Sequence, residues 1–263
     1  MVLLTTKRRW FTMKAELLSE ISRIPDFELV DVFVREGVLE KQPHLRAVVE
    51  RGRSEAIAVV SDRYNLLQIR ELFESAVSCC PGEVDGSAVY YRGKGDLALF
   101  PEGSAVGLLI QNSVDRSSAV KVSFCAKVNG EAVPIPAEAA APFVRVHTAK
   151  DLQVEVSRYL SLLGQVREAW EQIALSLVRL ELSQEDIEAL KRDIGAGKRL
   201  SKLIDAYLSG RKPLMFWDFV LAVLMAVRKC RYKTKFHLSR KIRRVGETII
   251  QWAVYEKIRA GGG

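Results

Sequence analysis

The sequence predicts an α+β protein: a mostly antiparallel, β-rich N-terminal region with a few helices, followed by an all-helical C-terminal region. Two observations carry this. Up to residue 147, apolar residues come in short alternating or β-branched runs separated by Pro, Gly, Asn and Asp, the pattern of strands and tight turns. From residue 148 onward they recur at three- and four-residue steps, the spacing of a helix face. Two regions are therefore expected, 1–147 and 148–263.

Met13 to Ile24 has helical spacing at Leu17, Leu18 and Ile21, and Pro25 ends it. Glu28 to Val34 (ELVDVFV) alternates and reads as a strand, as does Glu55 to Ser61. Asp62, Arg63, Tyr64 and Asn65 form a polar turn. Asp62 and Arg63 are expected to pair with each other or to cap the helix that follows over Leu66 to Val77. Ser87 to Arg92, Ala105 to Gln111 and Ala119 to Lys127 read as strands, and Arg92 to Gly95 is a tight turn before Asp96 to Phe100. Asn129-Gly130 is a strong hairpin signal. Val144, Val146 and Thr148 suggest one last strand.

Thr148 and Asp151 resemble a capping box, after which Leu152, Val156, Tyr159, Leu160, Leu163, Val166, Trp170, Ile173, Leu177 and Leu180 mark one long amphipathic helix. Ser183 with Asp186 starts the next, and Lys198 to Leu208 is a third. Ser209 to Pro213 breaks the pattern, and Phe216 to Val227 and Val245 to Ile258 complete the helical half.

Composition narrows the function classes. An apolar fraction of 48% with 27% charged residues is that of a folded globular chain, not a disordered one. The apolar run from Pro213 to Val227 is too short to span a bilayer and contains Asp218. The N-terminal basic cluster follows a very short apolar run, the wrong order for a secretory signal, so a cytoplasmic protein is expected, with no membrane partner. Cys79, Cys80, Cys125 and Cys230 form no CxxC pair and are expected as reduced thiols. With His44, His147 and His237 as the three histidines, no metal and no other cofactor is expected.

Charge is the most informative property. Residues 1–150 hold 19 basic and 19 acidic side chains, whereas residues 201–263 hold 14 and 4, a balance of +10. Nine Lys or Arg and no carboxylate lie in 228–244, RKCRYKTKFHLSRKIRR. Such a block repels itself unless a polyanion or ion-pairing partner compensates, and nucleic acid is the commonest such partner. Arg228, Lys229, Arg231, Lys233, Lys235, Arg240, Lys241, Arg243 and Arg244 are the expected phosphate contacts, where each released counterion makes affinity fall with salt. Tyr232 and Phe236 are the expected stacking platforms for exposed bases. Arg199, Lys202, Arg211 and Lys212 are further cations whose spacing does not assign them to the same face.

The Asn112 to Ser118 loop (NSVDRSS) admits two readings: a polar ligand site, or a turn in which Asn, Asp and Ser bond nearby backbone. Nothing in it specifies a nucleophile and base, so no catalytic residue is assigned.

Four segments together resemble the phage/plasmid-like proteins carrying the domain of unknown function 932. Val60-Ser61-Asp62-Arg63-Tyr64 with Gln68 is similar to that family's SDRY segment. Asn112-Ser113 with Asp115, Ser117 and Ser118 resembles its polar NS loop. Arg145-Val146-His147-Thr148 resembles its HT junction, and Trp217-Asp218 its closing helix. Val114 and Arg116 stand where the family commonly has His and Gly, and Leu221, Leu224 and Met225 where polar residues are expected. The resemblance implies an origin in a virus, plasmid or integrated element, and no particular reaction.

The expected function is nucleic-acid binding in replication, recombination or repair, with single-stranded or non-sequence-specific DNA as the partner. Two alternatives stand beside it: an oligomeric scaffold self-associating through helix 152–180, and an enzyme using the 112–118 loop with Asp62 or His147.

Overall fold

The structure is a computed structural model that describes residues 14–36, 38–115, 117, 119–137, 142–145 and 149–258. It is α+β, with antiparallel sheets in the first half and helices in the second. The chain forms two compact units, Met1–Ser123 with Ala140–Leu162, and Phe124–Ala139 with Leu163–Gly263. The division does not fall at residue 147: residues 124–139 group with the helical unit.

The first unit begins with α1 (Lys14–Ile21), followed by β1 (Phe27–Glu36), β2 (Val38–Glu50) and β3 (Ala56–Ser61), which form a three-stranded antiparallel sheet. Strand β2 is absent from the sequence reading because Lys41, Gln42, Pro43 and His44 interrupt its apolar pattern. The register explains how it tolerates proline. Pairing with β1 jumps from Asp31↔Arg46 to Phe33↔Lys41, so Pro43 lies in the irregular stretch, where its missing N–H costs no ladder bond. Asp31 bridges the irregularity by pairing with both Lys41 and Arg46.

Helix α2 (Ile69–Cys79) buries Ile69, Leu72, Phe73, Ala76 and Val77, a single stripe at helical spacing. The second sheet runs in the order β4 (Val84–Tyr91), β5 (Lys94–Pro101), β6 (Val106–Ser113), β7 (Val120–Val128), β8 (Glu131–Pro134), with β9 (Phe143–Arg145) also pairing β7. Gly95 to Phe100 are all buried, so β5 is covered on both faces and its apolar residues run together. Gly95 makes room for α2: a Cβ there would lie 2.5 Å from Ile69 Cγ2. The β4–β5 turn puts Arg92 and Gly93 at φ 44° and 74°, and the β7–β8 turn puts Asn129 and Gly130 at 48° and 70°, the two-residue hairpin geometry.

Helix α3 (Ala149–Val178) follows. Its Val156, Tyr159, Leu163, Val166, Trp170 and Leu177 are buried, whereas Leu160, Ile173 and Leu180 of the same stripe are half-buried. The expected cap at Thr148, the strand residues Val146 and Thr148, and His147 lie outside the described residues. In the second unit, α4 (Gln184–Asp193) starts with the expected Ser183–Asp186 capping box. Helices α5 (Lys198–Leu208), α6 (Phe216–Lys229) and α7 (Lys235–Trp252) follow, and a π-helical turn (Ala253–Ile258) extends α7. Helix α7 packs on β8, where a Cβ at Gly246 would sit 2.6 Å from Val133 Cγ1.

Candidate nucleic-acid interface

The basic segment spans the end of α6, a short link and the first half of α7. Helix α6 closes at Lys229, with the Cys230 N–H donating to Val227 O at 3.0 Å. The link stops at Thr234, whose hydroxyl accepts from the His237 N–H at 3.2 Å and starts α7. The helix therefore begins ten residues before the Val245 expected from sequence. Phe236, Ile242, Val245, Gly246, Ile249 and Ile250 form its buried stripe.

That register decides which cations are presented. Residues 237, 240, 241 and 244 follow the i, i+3, i+4, i+7 pattern of a single helix face, opposite the buried stripe. His237 and Arg244 are exposed on it, and Arg240 and Lys241 half-exposed. Arg231, Lys233 and Lys235 are exposed beside it. Among the described residues, Arg231, Lys233, Lys235, Lys241 and Arg244 meet no carboxylate. Tyr232 is half-buried, and burial together with nearby Cys230 pushes its hydroxyl above the usual phenol range.

Three assignments change. Phe236 cannot stack on a base: it belongs to the buried stripe, 3% exposed, and the Arg240 guanidinium lies over its ring at 4.6 Å. Arg243 cannot meet a phosphate, because it is one position before the exposed face and only 2% exposed. Arg228 already has a partner, donating from Nη2 to Glu131 Oε1 at 2.9 Å.

A second set of cations gathers in the same unit. Lys198, Arg199, Lys202 and Leu203 from α5 and Lys229 from α6 line an open depression of about 640 Å³. No carboxylate lines it, and among the described residues Lys198, Arg199 and Lys202 have no ion-pair partner. Lys198 and Arg199 occupy the first turn of α5, against the preference of the helix dipole for anions there. Lys229 is held in place, its Nζ 4.9 Å from the centroid of the Tyr207 ring. The sequence reading left Arg199 and Lys202 unplaced and passed over Lys198. Their spacing on α5 was the available signal, since Leu200, Ile204 and Leu208 form the buried face and leave 198, 199 and 202 outside. Arg211 is neutralised by Asp218, and Lys212 is exposed.

Described polar side chains of the first unit's candidate segments bond within the fold. Asn112 is fully buried and its Nδ2 donates to Leu67 O at 3.3 Å. Tyr64 Oη donates to Val114 O at 3.2 Å. Gln68 bonds the backbone of Phe27 twice, accepting its N–H at 2.9 Å and donating to its carbonyl at 2.8 Å. Burial pushes the Asp115 carboxyl up, but the Ser117 hydroxyl and N–H and the Lys94 ammonium at 3.1 Å outweigh it and hold it below the usual carboxylate range. Asp62 faces His44 at 3.9 Å and caps nothing, because α2 starts seven residues later with Gln68 at its N-cap. Arg116, Ser118 and His147 lie outside the described residues.

Comparison with protein-family models, curated proteins and solved structures finds no match. Among the described residues, no helix is long and apolar enough to cross a membrane, and no group of His, Cys, Asp and Glu is arranged to hold a metal ion.

Proposed function

We propose that this protein binds nucleic acid through the helical unit, with single-stranded or non-sequence-specific DNA as the partner. The carrying observation is the outward face of α7 with its preceding link, where Arg231, Lys233, Lys235, Lys241 and Arg244 meet no carboxylate among the described residues. A lone helical stripe of cations fits backbone contact, since phosphates position a strand without reading its sequence. Tyr232, half-exposed among them, supplies the stacking surface that single strands use. Arg240, half-exposed on the same face, extends the positive surface. Replication, recombination or repair in a virus, plasmid or integrated element, inside the cell, is the setting that the motif resemblance favours.

The test is an electrophoretic shift titration with single-stranded DNA at several salt concentrations. The wild type should bind with an affinity that falls steeply as salt rises. Reversing Lys233, Lys235, Lys241 and Arg244 to Glu should remove most of that affinity and flatten the log–log salt slope by about 3, from roughly 0.7 per lost contact. Absent or salt-insensitive binding by the wild type would sink the proposal.

A further inference from the structure

We infer that the depression between α5 and α6 is a separate binding site for a compact polyphosphate, carrying three or four negative charges within one small group. The inference goes beyond the α7 surface and stands whether or not that surface meets DNA. Four cations, Lys198, Arg199, Lys202 and Lys229, surround a single concavity with no carboxylate in its lining. A strand backbone spreads its charges one per nucleotide along a line, and a flat stripe such as that of α7 suits it. An open depression lined by four positive groups from two helices matches instead a ligand whose charges are clustered.

The side chains divide the work. Arg199 offers a planar fork able to grip two phosphate oxygens at once, whereas the three lysines act as point charges that adapt to the chain of phosphates. Lys229 rests its ammonium over the Tyr207 ring at 4.9 Å, a contact that favours its placement beside the depression. The depression is open to solvent, so a polyanion reaches all four cations from outside. Leu203 gives the lining one apolar surface beside the charges. The triphosphate of a free nucleotide and the triphosphate at the 5′ end of a strand share this chemistry.

Isothermal titration calorimetry with inorganic tripolyphosphate, at fixed ionic strength, tests it. The wild type should bind with a stoichiometry near one, and more tightly than it binds inorganic monophosphate. The triple variant Lys198→Gln, Arg199→Gln, Lys202→Gln should bind at least tenfold more weakly, and Lys229→Gln, from the other helix, several-fold more weakly. The triple variant Arg240→Gln, Lys241→Gln, Arg244→Gln should bind tripolyphosphate like the wild type while losing affinity for a 5′-hydroxyl DNA strand. No binding by the wild type, undiminished binding by the α5 variant, or an equal loss in both triple variants would each overturn the assignment. Tripolyphosphate binding without DNA binding would uphold this site and remove the proposed function. DNA binding without tripolyphosphate binding would do the reverse. ATP and a 5′-triphosphate oligonucleotide then separate the sources: stronger binding of either supports the site and names its ligand.

Discussion

Arg228 at the end of α6 donates from Nη2 to Glu131 Oε1 at 2.9 Å and to the carbonyl of Asn129 at 3.3 Å, tying the helix to the β7–β8 turn. The two partners differ in burial: Glu131 is 4% exposed, whereas the Arg228 side chain is 38% exposed. Truncating Arg228 removes one charged partner from a buried carboxylate. Arg228→Ala should therefore cost about 1–3 kcal/mol of stability, below the full value for a buried pair because the arginine is partly solvated. Urea denaturation checks it, with Arg231→Ala as the exposed control. Equal midpoints for the two variants would remove the structural role of Arg228.

Arg243 and Arg244 are adjacent and should behave oppositely. Arg243 is 2% exposed, so Arg243→Ala should destabilise by about 2–4 kcal/mol and leave the DNA affinity of the folded protein unchanged. Arg244 is exposed, so Arg244→Ala should leave the thermal midpoint nearly unchanged and lower the salt slope by about 0.7. Measuring both quantities for both variants decides whether α7 has the register described.

Gly246 lets α7 lie close to β8. Alanine is the better helix former by about 1 kcal/mol, yet its Cβ would fall 2.6 Å from Cγ1 of Val133, a stiff and fully buried side chain. Overpacking of this kind costs about 1–3 kcal/mol, so Gly246→Ala should be net destabilising. Pairing it with Val133→Ala should recover part of the loss, because the second change removes the obstructing methyls. A strictly additive double mutant would contradict the contact.

Acid should weaken the fold through two carboxylates. Burial pushes Asp186 up, but the Lys257 ammonium and the Ser183 hydroxyl and N–H prevail, so it is held below its usual range, as Asp115 is. With both folded values depressed, the unfolded chain binds more protons in acid. Their stabilisation is complete above the unfolded value of about 4 and is lost as pH falls through the folded ones. The thermal midpoint should therefore drop below about pH 4, and less steeply in Asp115→Asn and Asp186→Asn. Variants with the wild-type acid slope would refute the assignment.

Local chemistry made much of the fold legible in advance. The bounds of α5, the Ser183–Asp186 box and the Asn129-Gly130 turn each depend on residues adjacent in sequence. Strand β2 was hidden because Lys41, Gln42, Pro43 and His44 break its apolar pattern, and Pro43 is tolerated only because the β1 register shifts there and pairing with β3 begins at Leu45. The candidate site was half legible. Charge counting located the segment, but a count has no direction, and only the start of α7 at Thr234 turns Phe236 and Arg243 inward. The grouping of Lys198, Arg199 and Lys202 with Lys229 depends on α5 packing against α6, which no local pattern encodes.

The outer stripe of α7 has one more consequence, for how the protein responds to its medium. Its first turn contains Lys235 and no acidic side chain, and Arg240, Lys241 and Arg244 follow within reach of one another. Dissolved ions shield these neighbours from mutual repulsion, while on the proposed function the same ions compete for the sites a phosphate would occupy. On the proposed function, ionic strength acts with opposite signs on this stripe: the salt that relieves its self-repulsion is the salt that weakens its hold on an anionic strand.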